Sequence, residues 1–284
     1  LDTNFDGNID SLNLEEKLLI AKKKRKLPKA IIVVHFAGLS CDMEKIFNLS
    51  KKFKFKIIED ASHAVGAKYK NFKIGSCKFS NLCVFSFHAI KSITTGEGGA
   101  VLSNSKIYDE KIKLLRSHGI NKNKKKFFDR KKLNYDWYYE AVDIGFNFRL
   151  TDFQCALGIS QLSRLKLFIK KRTQIARTYV KLINNPKIVL PKFYIGNSSS
   201  WHLFIIRCKY VKDRKKLYNY LKKNKITTVL HYIPINSHQF YKYKKNQNFM
   251  NAMKYYDTAL SIPIFPDLKK LEIKKIIRLI NKFE

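Results

Sequence analysis

Apolar positions in the first hundred residues come in short runs separated by amphipathic stretches. Ala30–Phe36 reads as a strand, and Gly38 turns the chain. Asp42–Lys52 sets Met43, Ile46, Phe47 and Leu49 on one side, which predicts a helix. Phe55–Ile58 is a second strand. Strand, helix and strand at this spacing make a βαβ unit, so an α/β fold with a mainly parallel sheet is expected. Leu82–Phe87 and Gly99–Ser103 read as further strands, and Leu14–Lys24 and Lys106–His118 as helices. Asn121–Tyr139 is basic and aromatic without a clear period and reads as an exposed excursion. Thr151 or Asp152 caps a long helix, with Ala156, Leu157, Ile159, Leu162 and Leu165 in helical register. It runs to Leu182 and stops before Asn184-Asn185-Pro186. Beyond Pro186 the pattern changes to a small α+β unit: strand Trp201–Cys208, helix Asp213–Asn224, strand Thr227–Ile233 and helix Leu268–Phe283. The boundary falls inside the long helix, dividing the chain into 1–165 and 166–284. There are no internal repeats.

Two of these strands end in groups capable of chemistry. Ile57-Ile58 runs into Glu59-Asp60 with His63 close behind, and Leu82–Phe87 into Ser86-Phe87-His88 with Lys91 close behind. The glycine-rich turn Thr94-Thr95-Gly96-Glu97-Gly98-Gly99 follows. In parallel sheets, ligands sit beyond the carboxyl ends of the strands. A lysine set partly out of water there has a lowered pKa and becomes a nucleophile toward carbonyls. An aspartate paired with a pyridinium nitrogen keeps it protonated, as pyridoxal phosphate sites require. Taken singly, each residue has an ordinary explanation: a cap, a surface lysine, a core histidine, a turn. Only the ordered set makes the functional reading the better one.

The opening LDTNFDGNID matches the spacing of a calcium loop at Asp2, Asn4, Asp6, Gly7, Asn8 and Asp10. Position twelve is Asn13 rather than a bidentate glutamate, so a polar loop entering a helix is expected instead.

The net charge of +35 suggests a polyanion partner. Yet only ten of the 57 basic residues are arginine, the residue that nucleic-acid readers favour, and the lysines are spread along the whole length. A solvated lysine-rich surface is the plainer reading, one that would still steer an anionic substrate. Five cysteines without a CxxC pair suit a reducing cytoplasm and speak against a disulfide framework or a zinc site. Apolar runs such as Leu203–Ile206 are too short to cross a bilayer.

EDASHAVGAKY, VFSFHAIKSITTGEGGAVLSN, RSHG, GFNFRLTDFQCALG and HYIPI, in that order, resemble the sugar-nucleotide aminotransferases of the pyridoxal-phosphate fold-type I class. The resemblance covers essentially the whole chain. VVHFAGLSCDM, RSHGI, FNFRLTDFQCALGISQL and SSWHLF are most similar to members that aminate C4 of a UDP-4-keto-hexose on the way to pseudaminic acid. It implies a cofactor-binding large domain in 1–165 and a connecting helix with a small domain in 166–284. It implies pyridoxal 5′-phosphate as cofactor, an amino acid donor such as glutamate, and a cytoplasmic homodimer with shared active sites, without nucleic acid, membrane or metal. Carried over by position, Lys91 is the Schiff-base lysine and proton carrier, and Asp60 pairs with the pyridine nitrogen. His63 lies near the ring oxygen and Ser86 binds the phosphate. Asn147 reaches the cofactor of the neighbouring subunit, and His231 and Tyr232 line the sugar-nucleotide side.

The departure is at the front. Family members carry a further segment before the equivalent of Leu1, with a Ser/Thr turn for the cofactor phosphate and an aromatic that stacks on the ring. The large domain is therefore expected to be N-terminally incomplete. Two alternatives stay open: a catalytically impaired remnant and a basic polyanion-binding protein. A related sugar dehydratase is disfavoured, because those relatives carry histidine where this chain has Lys91.

Overall fold

A computed structural model describes residues 1–241 and 249–284. Helix α1 (Ser11–Lys23) begins where the Asp10 side chain accepts from the Leu12 and Asn13 amides, and buries Leu14 and Leu18. It packs beside α2 (Met43–Phe53), which Asp42 caps and which buries Met43, Ile46, Leu49 and Phe53. Four strands make the main sheet, in the order β1 (Ala30–Val34), β2 (Lys56–Asp60), β5 (Leu82–Ser86) and β6 (Gly99–Leu102). The small hairpin of β3 (Lys68–Tyr69) and β4 (Phe72–Lys73) lies between β2 and β5 in the chain. β1, β2 and β5 are parallel, as the βαβ spacing predicts, whereas β6 runs antiparallel to β5. The loop between them closes on itself, with Phe87 donating to the Gly98 carbonyl and Thr95 to the Phe87 carbonyl, so the chain returns beside β5 and the sheet is mixed at that edge.

Strand β2 extends two residues beyond its predicted end. Glu59 and Asp60 are therefore part of the ladder, opposite Cys83 and Val84 of β5. The two point to opposite faces, as alternation requires. Glu59 is buried and meets the fully buried His35 at 2.7 Å, while Ser80 Oγ donates to its other oxygen. Burial disfavours a charged His35 ring, but its contacts with Cys41 and Glu59 outweigh that and lift its pKa to about 9. The His35 amide also donates to the Asp60 carbonyl at 3.0 Å, so this bridge sits directly behind Asp60.

Helix α3 (Lys106–Arg116) leads into an exposed excursion braced by the short pair β7 (Ile120–Asn121) and β8 (Glu140–Ala141). The long helix α4 (Asp152–Leu182) starts at a capping box formed by Thr151 and Gln154. Its 31 residues span about 46 Å. The first half lies against the large unit. The Ile169 and Leu165 side chains meet Gly66, and Gln154 donates to the Glu97 carbonyl at 3.0 Å. The second half buries Ile175, Ala176 and Tyr179 in a separate core.

That second core surrounds a three-stranded antiparallel sheet of β9 (Ile188–Val189), β10 (Phe204–Cys208) and β11 (Ala259–Ile262), with α5 (Val211–Lys223) and α7 (Lys270–Asn281). The strand expected at Thr227–Ile233 does not form. That stretch makes a single bridge, Val229 to Ser261, and the place beside β10 is taken by Ala259–Ile262. All four residues of β11 are buried, whereas Val229, Tyr232 and Ile233 are exposed, so the apolar gain favours β11. Helix α6 (Met250–Thr258) precedes β11.

The opening loop ties the two cores together. Asp2 accepts from the Asn251 and Ala252 amides at the start of α6, and Asp6 accepts from the Tyr194 hydroxyl. Asn8 accepts from the Phe36 amide and donates to the Leu39 carbonyl. The oxygens that match a calcium loop in sequence point to separate protein partners. Among the described residues no three His, Cys, Asp or Glu side chains gather as a metal site, and no helix is long and apolar enough to cross a membrane.

Candidate active site

The site forms where the loops after β2 and β5 meet the Ser199–Leu203 segment and the Val229–Tyr232 stretch. Ala61 continues the ladder by donating to the Val84 carbonyl, and the chain then turns through Ser62, whose amide donates to Asp60 at 3.1 Å. That turn places the buried His63 beneath Gly38. Gly38 has φ +94°, and a Cβ there would collide with Ser200 Oγ and the His63 carbonyl, so only glycine fits. Ser200 Oγ donates to the same carbonyl at 2.5 Å.

After β5 the backbone closes on itself. Phe87 donates to Gly98, and Thr95 to Phe87. The loop between carries Lys91, whose amide donates to His88 at 2.9 Å. Ile93 is buried and anchors this loop, while Lys91 stays half-buried. Ser86 is the last residue of β5, and its hydroxyl accepts from the His88 amide at 3.4 Å.

Five of the seven residues that the sequence singles out come together electrostatically. Burial, then Lys91 and His231, press the His63 pKa down to about 4, against the opposing pull of Asp60. Burial lowers the Lys91 pKa too, and Asp60 resists that fall. Tyr232 places its hydroxyl 3.3 Å from His63 Nε2, and its pKa is raised by burial and by Asp60. His231 holds Ser261 Oγ through Nδ1 at 2.7 Å. Ser86 lies at the mouth of the same loop. Asn147 is not brought to this cluster. It is exposed and bridges Ser117 beyond α3.

The sequence reading missed His202. Its ring centroid lies 4.4 Å from that of His63, and it is buried. Burial, followed by His63 and Lys91, takes its pKa down to about 2. Arg172 of α4 fixes this segment by donating to the carbonyls of Trp201, His202 and Ile264. SSWHLF contributes to the family resemblance, but nothing local gives its histidine a role at the site, because the neighbour is 139 positions away in the chain.

These buried neutral imidazoles give a pH dependence. In the unfolded chain both rings titrate near 6.5, so between that value and the folded ones the unfolded state binds more protons. Stability is therefore present above pH 6.5 and is lost as pH falls toward 4. His35, raised rather than lowered, works the other way: its contribution is complete only below about pH 6.5, so it offsets a smaller part of the fall between pH 7 and pH 4.5. The His63 shift alone corresponds to on the order of 3 kcal/mol. Urea midpoints at pH 7 and pH 4.5 should fall steeply for the wild type and less for His63→Gln; equal falls would contradict this.

The donor set fits a charged heteroaromatic cofactor such as pyridoxal 5′-phosphate. Lys91 has no ion-pair partner among the described residues although Asp60 acts on its charge. His63 Nδ1, His202 Nδ1 and Ser92 Oγ are buried without a protein partner. Such atoms are costly unless a ligand or water satisfies them.

Comparison with known proteins agrees with this chemistry. The profile of the DegT/DnrJ/EryC1/StrS aminotransferase family matches residues 3–281. A Campylobacter jejuni protein named UDP-4-amino-4,6-dideoxy-N-acetyl-beta-L-altrosamine transaminase is 40% identical over 278 residues, covering 96% of this chain and 70% of its own. The structure of Helicobacter pylori PseC, an aminotransferase of pseudaminic acid biosynthesis, superposes with TM-score 0.88 at 36% identity, over 99% of this chain and 72% of that one. A Streptococcus pneumoniae chain described as a sugar aminotransferase in its PLP form superposes with TM-score 0.82 at 25% identity, over 100% of this chain and 74% of that one.

Proposed function

This chain belongs to the DegT/DnrJ/EryC1/StrS aminotransferase family, and from that membership we propose that it converts a nucleotide-linked 4-keto sugar to the 4-amino sugar. The amine comes from an amino acid donor, glutamate in our reading, and the product enters pseudaminic or a related surface-sugar route. The observation that carries this is the convergence of Asp60, His63, Lys91, His231 and Tyr232 around buried, unpartnered imidazole nitrogens.

Pyridoxal 5′-phosphate, when bound, supplies an electron sink that stabilises negative charge at the reacting carbon. Asp60 would hold the ring nitrogen protonated, with its backbone fixed by the His35 amide and its carboxylate accepting from the Ser62 amide. Ser86 would bind the phosphate. Lys91 would hold the cofactor and then move the proton between donor or sugar carbon and cofactor carbon. Burial lowers its pKa, the direction that favours the free amine, while Asp60 opposes the shift. His231 and Tyr232 would face the sugar. The +35 charge favours arrival of an anionic nucleotide sugar.

We further propose a homodimer in which Asn147 serves the cofactor of the second copy. Two observations support it. Asn147 is exposed, and Phe146 and Phe148 on either side of it in the chain are exposed and stacked on each other, an apolar patch left uncovered. The division near residue 165 into a cofactor-binding and a smaller unit belongs to the same reading, with α4 shared between two cores.

The test is a panel of UDP-, GDP- and dTDP-linked 4-keto sugars with glutamate as donor. We expect formation of 2-oxoglutarate and a 4-amino sugar with a UDP-linked substrate. Transfer with none of the panel would remove the proposal.

A further inference from the structure

His63 raises a question of proton placement. A neutral imidazole carries a single N–H, and its position is set by what the other nitrogen does. Here Nε2 lies 3.3 Å from the Tyr232 hydroxyl, and Nδ1 is buried with no protein partner. If the ring donated from Nε2 to Tyr232, Nδ1 would be a buried lone pair. If Tyr232 donates to Nε2, the N–H moves to Nδ1 and is left free for a ligand.

Three observations favour the second arrangement. His63 Nε2 is the partner that the Tyr232 hydroxyl has among the described residues. Burial and the nearby Asp60 hold that phenol protonated, so it has a hydrogen to give. The Tyr232 and His63 rings lie nearly parallel, 28° between planes at 6.1 Å, and Phe36 flanks both rings. The pair is therefore held on its apolar side, and His63 has little freedom to turn over. The charged and titratable groups facing His63 are Lys91, His231, His202 and Asp60. None of them bonds Nδ1.

We propose that Tyr232 is a positioning residue: its hydroxyl donates to His63 Nε2 and fixes the Nδ1–H tautomer, which presents a buried N–H to an oxygen acceptor on the bound ligand. An acceptor of this kind is the ionised phenolic oxygen of pyridoxal 5′-phosphate, next to which the family resemblance already places His63; what is new is the tautomer that Tyr232 imposes. That ligand half rests on the aminotransferase reading above, whereas the tautomer half does not. Oriented donors of this kind lower the reorganisation needed when charge shifts on the ligand.

The experiment is 15N NMR of histidine-labelled protein at pH 7, first without cofactor. The wild type should show His63 with Nδ1 protonated and Nε2 as an unprotonated acceptor. Tyr232→Phe should exchange these two positions for the larger part of the population, with His35 resonances and far-UV circular dichroism unchanged. An Nε2–H wild type, or a Tyr232→Phe protein that keeps Nδ1–H, would overturn the tautomer claim. A Tyr232→Phe protein that failed to fold would leave the wild-type spectrum to decide alone.

Pyridoxal 5′-phosphate is then added. The expected result is a downfield move of the Nδ1 proton and its slower exchange with water, alongside a visible absorbance band. A band without any change at Nδ1 would overturn the ligand half. No band and no shift anywhere near Lys91 would defeat the aminotransferase reading and the ligand half with it, while the tautomer result would stand on the first spectra.

Discussion

Replacing Lys91 by alanine is expected to remove both the visible absorbance band that bound cofactor gives and all measurable turnover. Loss of a positioned proton carrier costs about 10^2- to 10^4-fold by itself, and in the proposed site Lys91 would also hold the cofactor, so the drop should sit at or beyond the upper end. Stability should scarcely change. Lys91 is half-buried, forms no ion pair among the described residues, and hangs from a loop anchored by Ile93 and by backbone bonds. The measurement is the absorbance spectrum of the purified holoenzyme, paired with a single-turnover assay. A Lys91→Ala protein that kept band and turnover would show that another amine does the work.

The second large effect is expected at Asp60. Asp60→Asn keeps the size of the side chain and an oxygen that can still accept from the Ser62 amide. What it removes is the charge that would hold the ring nitrogen protonated. Turnover should fall on the order of 10^3-fold, the scale seen when one preorganised electrostatic contact is lost. The visible band should persist, because Lys91 is intact, but the pH at which it changes should move. Unchanged turnover together with an unmoved pH midpoint would show that Asp60 does not face the ring nitrogen.

The parts of this fold that follow local rules could be read from the chain. Strand β1, helix α2 and the Thr151 cap fall where periodicity and capping chemistry put them, because each depends on neighbours within a few positions. The parts decided by competition could not. Thr227–Ile233 and Ala259–Ile262 are both plausible strands, and only burial against β10 selects the second. The site divides in the same way. Asp60, His63, Ser86 and Lys91 lie within one stretch and are marked by strand ends. His202 and Arg172 reach the same place from distant segments and advertise nothing locally. Asn147 is legible as part of a motif, yet nothing within its own chain brings it to the cluster.

The opening loop shows what a motif match measures. Alternating Asp and Asn supply short side chains that accept from amides, and both a calcium loop and a structural tie need that inventory. What separates them is convergence. In this chain the acceptors diverge, to α6, to Tyr194, to the Phe36 amide and to α1. The consequence is mechanical. Asp2 and Asp6 add a tie between two cores that also meet through α4, the Ser198–Leu203 segment and the shared cluster of Phe36, Ile205 and Ala259, so the loop adds resistance to shear beside Lys91 and His63.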